Sequence, residues 1–150
     1  FGSAASGSSK KSDAKPTSGL ATMAKRYVGE KEDKLNDSGL RNKIIDHDMN
    51  SQAFALTLRR AAEESKKSNQ GPSAASSIFK YYGTEHNKLR YEIMLEAMGT
   101  KALGWEGAEF GPEELAITRE WLRTKANSIE GGTSEVQLNV ISKRVLELPQ

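Results

Sequence analysis

Cysteine is absent from this chain. That excludes a disulfide framework and any thiolate metal site, and it fits a reducing compartment such as the cytoplasm. An excess of one charge is missing too: 22 basic residues face 20 acidic ones, a formal net charge of +2, and they are interspersed. Such a balance offers no clustered basic face to nucleic acid or to an anionic membrane. No apolar run approaches the ~20 residues of a membrane span, and the first residues do not read as a signal peptide. No segment alternates polar and apolar residues as a half-buried strand does. A nucleophile elbow, a Walker loop and a dinucleotide fingerprint are all lacking. Apolar residues make up only 36% of the chain, little for a self-sufficient core. Either a polar segment dilutes the average or partners complete some surfaces.

What is present is helical. Residues 3–18 hold no large apolar side chain, so burial cannot offset their ordering entropy, and residues 1–18 read as a Ser/Lys-rich flexible linker or insertion. A start at Phe1-Gly2 without Met implies a chain that begins inside a longer protein. Leu20, Met23, Ala24, Tyr27 and Val28 follow helical spacing up to Gly29, and the charged run Glu30–Lys34 reads as a loop. From about Ser38 to Lys66 the pattern predicts a long helix with Leu40, Ile44, Ser51, Ala55, Leu58 and Ala62 along one stripe. Ile45, Met49, Gln52 and Leu56 lie beside it, giving two part-apolar sides that suit packing between neighbours. After a polar turn over 66–71, Pro72 opens a third helix. Its stripe is Ala75, Ile78, Phe79, Tyr82, Leu89 and Ile93, and Gly99 sits where a C-cap belongs. Residues 100–111 form a loop carrying Trp105 and Phe110 as core anchors, interface anchors or a lid. Pro112-Glu113-Glu114 starts a fourth helix with Leu115, Leu122 and Ala126 near one face. The fold class is therefore all-α, an up-down helical bundle over residues 19–150.

Two histidine clusters invite a metal reading and fail it. Consecutive residues on a helix point about 100° apart, so Asp46-His47-Asp48 cannot converge on one ion and reads as solvated helix surface. His86, beside Glu85, reads as a structural histidine, exposed or hydrogen-bonded. No metal is expected.

The most informative stretch runs from Arg123 to Pro149. A helix ends near Ile129, Gly131 and Gly132 permit positive φ, and a last helix begins at Thr133 or Ser134. Ser134 and Gln137 have capping-box spacing, with Thr133 as the alternative cap. Val136, Val140, Ile141, Val145 and Leu148 share a side, and Pro149 stops the helix. From spacing alone this is either the capped helix–turn–helix of any α protein or a seat for an anion or cofactor phosphate at helix-start amides. The words Ile129-Glu-Gly-Gly-Thr-Ser-Glu-Val-Gln and the tail Asn139-Val-Ile…Arg-Val-Leu-Glu-Leu-Pro149 resemble the C-terminal signature of the acyl-CoA dehydrogenase family.

That resemblance implies an FAD-dependent oxidoreductase that removes hydrogens from the α and β carbons of an acyl-CoA thioester. It implies a homo-oligomer, a dimer or tetramer, or assembly with a related subunit. Many relatives carry the proton-abstracting Glu immediately before the Gly-Thr pair; here Gly131 stands there and Glu130 lies one residue back. Glu130 is thus the candidate catalytic carboxylate within the chain. Other relatives place the base on an earlier helix of this domain, and a base upstream of Phe1 is the expectation. The resemblance assigns cofactor-binding positions to Glu96, Gly99, Gly131, Gly132, Thr133 and Glu135, with Glu96 serving the flavin of a neighbouring subunit. Thr100 replaces a usual second glycine. The family's Arg-x-x-Phe-Gly stretch is replaced by the acidic run from Glu30 to Ser38. An incomplete site implies that the chain alone is inactive. The alternative is a partner subunit that kept the fold as scaffold and lost the chemistry.

Overall fold

The computed structural model describes residues 19–68 and 75–149. The linker read at residues 1–18 and the helix start read at Pro72 lie outside them. Two glycines bracket the first helix, α1 (Leu20–Val28). Gly19 O accepts from the amides of Thr22 and Met23 at 2.9 and 3.1 Å. At the other end Gly29 adopts φ 79°, a conformation that costs other residues roughly 1 kcal/mol or more. Leu20, Met23 and Ala24 are buried, as the spacing predicts.

The run read as a loop is instead a minimal hairpin. β1 (Glu30–Lys31) pairs antiparallel with β2 (Lys34–Leu35). Glu32 and Asp33 take φ of 52° and 59°, the paired positive values of a type I′ turn, whose twist matches its strands. Two residues per strand leave no alternation to read. The hairpin delivers Leu35 to the core. Asp37 then caps α2 (Ser38–Ser68), its Oδ1 accepting from Leu40 N–H at 2.8 Å. Residues 66–68, read as the start of a polar turn, belong instead to α2, and the rest of that turn lies outside the described residues.

The packed seam of α2 runs through Leu40, Ile44, His47, Ser51 and Phe54, a repeat of seven that keeps one line facing a neighbouring helix. The predicted stripe drifts off this line after Ser51: Ala55, Leu58 and Ala62 are exposed. The expected second packed side has no cover among the described residues, with Met49 64% and Leu56 65% exposed.

The remaining elements are α3 (Ala75–Met98), α4 (Pro112–Ala126) and α5 (Ser134–Val140). α3 is central and touches α1, α2, α4 and α5. It runs antiparallel to α2, with Lys43 meeting Glu96 at one end and Phe54 meeting Phe79 and Tyr82 toward the other. Ile93, Met94, Ala97 and Met98 join Leu20, Met23, Ala24, Leu35, Leu40 and Ile44 in one aliphatic cluster. Leu89, predicted for the core stripe, is exposed. Gly99 at φ 57° ends α3 as expected. The predicted loop then opens with a 3-10 turn over Gly99–Leu103. Phe110 lies directly over Gly104, leaving no room for a Cβ there. Trp105 stays 55% exposed under the Arg119 guanidinium, which sits 5.3 Å from the ring centre.

Gly111 N–H donates to Glu114 Oε2 at 2.7 Å where α4 begins. Its inward face carries Thr118 and Thr124, not the predicted Leu122, which is exposed. Thr124 is 0% exposed and donates to Trp121 O at 2.6 Å, so its hydroxyl is satisfied inside the bundle. α5 buries no side chain fully, passes into a π turn over Ile141–Val145, and ends with Glu147 at φ 51°. Pro149 is therefore not the stop; the helix has already closed on Leu146 N–H to Ile141 O at 3.0 Å.

Candidate functional site

The chain reversal between α4 and α5 is built from a loosening helix end. Regular α4 closes at Ala126, and a last turn continues as Ile129 and Glu130 N–H both bond to Ala126 O at 2.9 Å. Gly131 and Gly132 follow at φ 66° and 96°. Ser134 N–H then reaches back to Ser128 O at 2.9 Å and closes the loop. Thr133 is the cap: its Oγ1 accepts from Val136 N–H at 3.3 Å. Gln137 does not form the box read from its spacing with Ser134. Its Nε2 turns to Gly131 O at 3.4 Å, and Ser134 Oγ is buried without a hydrogen-bond partner.

Two lysines of α3 fasten this turn, and sequence reasoning missed both. Lys80 Nζ donates to Asn127 O at 3.0 Å and Gly132 O at 2.7 Å. Lys88 Nζ donates to Ser128 Oγ at 2.8 Å. Their partners lie some forty to fifty residues away in the chain, so no local pattern announces them. The tip stays open: a Cβ built on Gly131 would meet nothing within 4 Å, whereas one on Gly132 would meet Gln137 Nε2 at 2.7 Å.

The carboxylates of the corner are exposed but engaged. Glu130 Oε2 accepts from Arg123 Nη2 at 2.9 Å; the same hydrogen bond and charge raise the Arg123 pKa above the usual arginine value. Glu135 is held below the usual carboxylate range. Its own backbone N–H is the main cause, followed by the Thr133 hydroxyl, with the Lys80 charge adding to them. An anionic side chain at the start of α5 also suits the positive end of the helix dipole.

Glu96 and Gly99 do not join this cluster. Glu96 is exposed and takes Lys43 Nζ at 2.7 and 2.8 Å. Along α3, Gly99 stands roughly 28 Å from Lys80 at about 1.5 Å per residue. One chain therefore presents the two predicted cofactor sets at different places.

His47 is a correction. Read as solvated surface, it is only 5% exposed and stacks on His86 with ring centres 4.0 Å apart. Its place seven residues after Leu40 was the available signal. Ser51 Oγ donates to His47 O at 2.9 Å and lies 2.7 Å from His86 Nε2. With its one proton committed, the hydroxyl must accept, which assigns a proton to His86 Nε2. Burial, then the His47 ring and the Arg90 charge, lower the His86 pKa below the ordinary histidine value, against an opposing pull from Asp48. Both His47 ring nitrogens lack hydrogen-bond partners. Among the described residues no group of three or more His, Cys, Asp or Glu side chains could hold a metal ion. No described helix is long and apolar enough to cross a membrane. A separate cavity of about 360 Å³ lies between α1, α3 and α4, lined by residues including Met23, Arg90, Met94 and Ile117. None of its lining residues belongs to the glycine turn.

Comparison with known proteins gives the following. Residues 18–146 match the family described as "Acyl-CoA dehydrogenase, C-terminal domain". The acyl-CoA dehydrogenase FadE34 of Mycobacterium tuberculosis (strain ATCC 25618 / H37Rv) is 32% identical over 100 residues, covering 67% of this chain. The alignment spans 13% of that protein's own length. No solved structure matches the chain.

Proposed function

The chain belongs to the acyl-CoA dehydrogenase family, as its C-terminal α-helical domain, and from that membership we propose that the protein carrying it oxidises an acyl-CoA thioester between its α and β carbons. FAD, when bound, supplies the hydride acceptor. Residues 19–150 form the helical domain in this reading, and residues 1–18 a linker or insertion before it. The observation that carries the proposal is the open glycine corner: two positive-φ residues, a tip with open space where a Cβ would stand, and the start of α5 behind it. These features fit a site where a flat ring and a polar tail approach backbone closely. Gly131, Gly132, Thr133 and Glu135 would face the flavin of one site. Glu96 and Gly99, far along α3, would serve the flavin of a neighbouring subunit, so the working unit is a homo-oligomer (dimer or tetramer) or a mixed assembly.

Proton abstraction from the α carbon needs a carboxylate free to accept. Glu130 is tied to Arg123 and set one residue behind the turn's tip. A base on an earlier helix, upstream of Phe1, therefore fits better. In that case the 150-residue chain alone is colourless and inactive, whereas the whole protein shows a flavin spectrum that acyl-CoA bleaches. Yellow, active material from this chain alone would refute the shared site.

The second reading, a scaffold subunit, is favoured by the same empty position at Gly131 and by the acidic hairpin where relatives have an arginine motif. Acids near a diphosphate raise its binding energy by Coulomb repulsion. Acyl-CoA turnover by the flavin-loaded whole protein separates the two. A protein that holds FAD yet leaves it oxidised under saturating acyl-CoA is the scaffold.

A further inference from the structure

Both ends of the glycine turn are tied to one side chain. The two carbonyls that Lys80 bridges are Asn127 O, at the exit of α4, and the O of Gly132, the second positive-φ residue, at the entry to α5. Last-turn carbonyls have no partner within their own helix, and a charged donor makes a bond roughly twice as strong as a neutral one. Within the turn Ser134 N–H closes on Ser128 O at 2.9 Å, but the side-chain bonds at its start are long. The bonds of Val136 N–H to Thr133 and Gln137 Nε2 to Gly131 are 3.3 and 3.4 Å long. α5 buries no side chain fully, and a Cβ at Gly131 would meet nothing within 4 Å. Apolar burial therefore does not hold the reversal in shape.

We propose that Lys80 is a positioning residue: its ammonium helps set the distance between the end of α4 and the start of α5, and so aims the Gly131–Thr133 turn at the group bound there. That the bound group is a flavin rests on the function proposed above; the fastening of the turn does not. Lysine suits the task because a flexible stem ending in three donors can serve two carbonyls at once. Lys88, on Ser128 Oγ, braces the same segment from the next two turns of α3. The charge of Lys80 also reaches Glu135, whose carboxyl it helps keep ionised.

The test uses the whole protein and three variants. Lys80→Met keeps the stem and removes donors and charge, Lys80→Gln keeps polarity should the first fail to fold, and Lys80→Arg retains the charge and several donors on a planar fork. Hydrogen exchange is expected to rise about tenfold or more in peptides covering residues 127–137 of the Met and Gln variants. Peptides from α1 and the first half of α2 keep wild-type rates, and Arg restores most of the turn's protection. FAD affinity, read by flavin fluorescence, should fall about tenfold in Met and Gln and recover in Arg. Unchanged exchange at the turn overturns the proposal. So does a loosened turn that binds FAD as tightly as wild type. Should wild type take up no FAD at all, the flavin assignment fails, and the exchange pattern alone decides whether Lys80 fastens the turn.

Discussion

The two ends of α3 are held by different forces. Near Met98, side chains from α1, the hairpin, α2 and α3 meet in one aliphatic cluster, and Ile93 is among its most completely buried members. Toward Lys80, α3 ties the reversal between α4 and α5 with ammonium-to-carbonyl bonds, and Val136, Leu138 and Leu148 of the terminal segment stay about half exposed. Burial is insensitive to direction, whereas hydrogen bonds specify it. The first end supplies stability; the second sets the geometry of the glycine turn.

Substitutions can break this contrast. The largest expected effect is Ile93→Ala, which removes about 3 kcal/mol by lost burial plus a cavity, while Leu138→Ala in α5 stays within roughly 1 kcal/mol. Urea midpoints at unchanged slope would measure both. Equal losses would mean that the terminal helix is as much a part of the core as α3. Next comes Gly131→Ala. Its Cβ meets open space, so only the positive φ is penalised, at about 1 kcal/mol. A loss several times larger would show that the tip packs against something in solution. A third effect depends on pH. His86 has a lowered folded pKa, so below the unfolded value of about 6.5 the unfolded chain binds more protons and stability falls as pH drops toward the folded pKa. Above that value this group contributes no slope. His86→Gln should flatten melting temperature between about pH 7 and 5 relative to wild type; an undiminished slope would assign the effect to carboxylates instead. The smallest is Arg123→Ala, which frees Glu130 and should leave the urea midpoint nearly unchanged, since the pair is exposed and screened by solvent. Renewed acyl-CoA turnover in that variant, and not in wild type, would return Glu130 to candidacy as the base.

Helix number, order and most boundaries were legible because glycines and capping residues mark them: Gly29 closes α1, Gly99 closes α3, and Gly131-Gly132 makes the reversal. Faces were read less well. A 3.6-residue stripe through α2 leads to Ala55 and Ala62, but α2 packs along a straighter seam that includes His47 and Phe54. A polar residue on such a seam looks like surface until its partner, here His86, is seen across it. The hairpin at Glu30–Leu35 was unreadable because its turn is made by Glu32 and Asp33, residues without the usual glycine signal. At the site the turn itself was legible and its fastening was not. Lys80 lies between Phe79 and Tyr81 with nothing local to mark it, and its acceptors are backbone atoms, which carry no residue-type signature.

The vacancy around Gly131 bears on how such a domain changes over generations. Because surrounding atoms neither fill nor obstruct that point, a mutation there leaves the helices where they are and meets only the resistance of one left-handed backbone angle. If the proposed flavin site holds, a carboxylate could therefore be introduced at this corner by a single substitution without moving the helices.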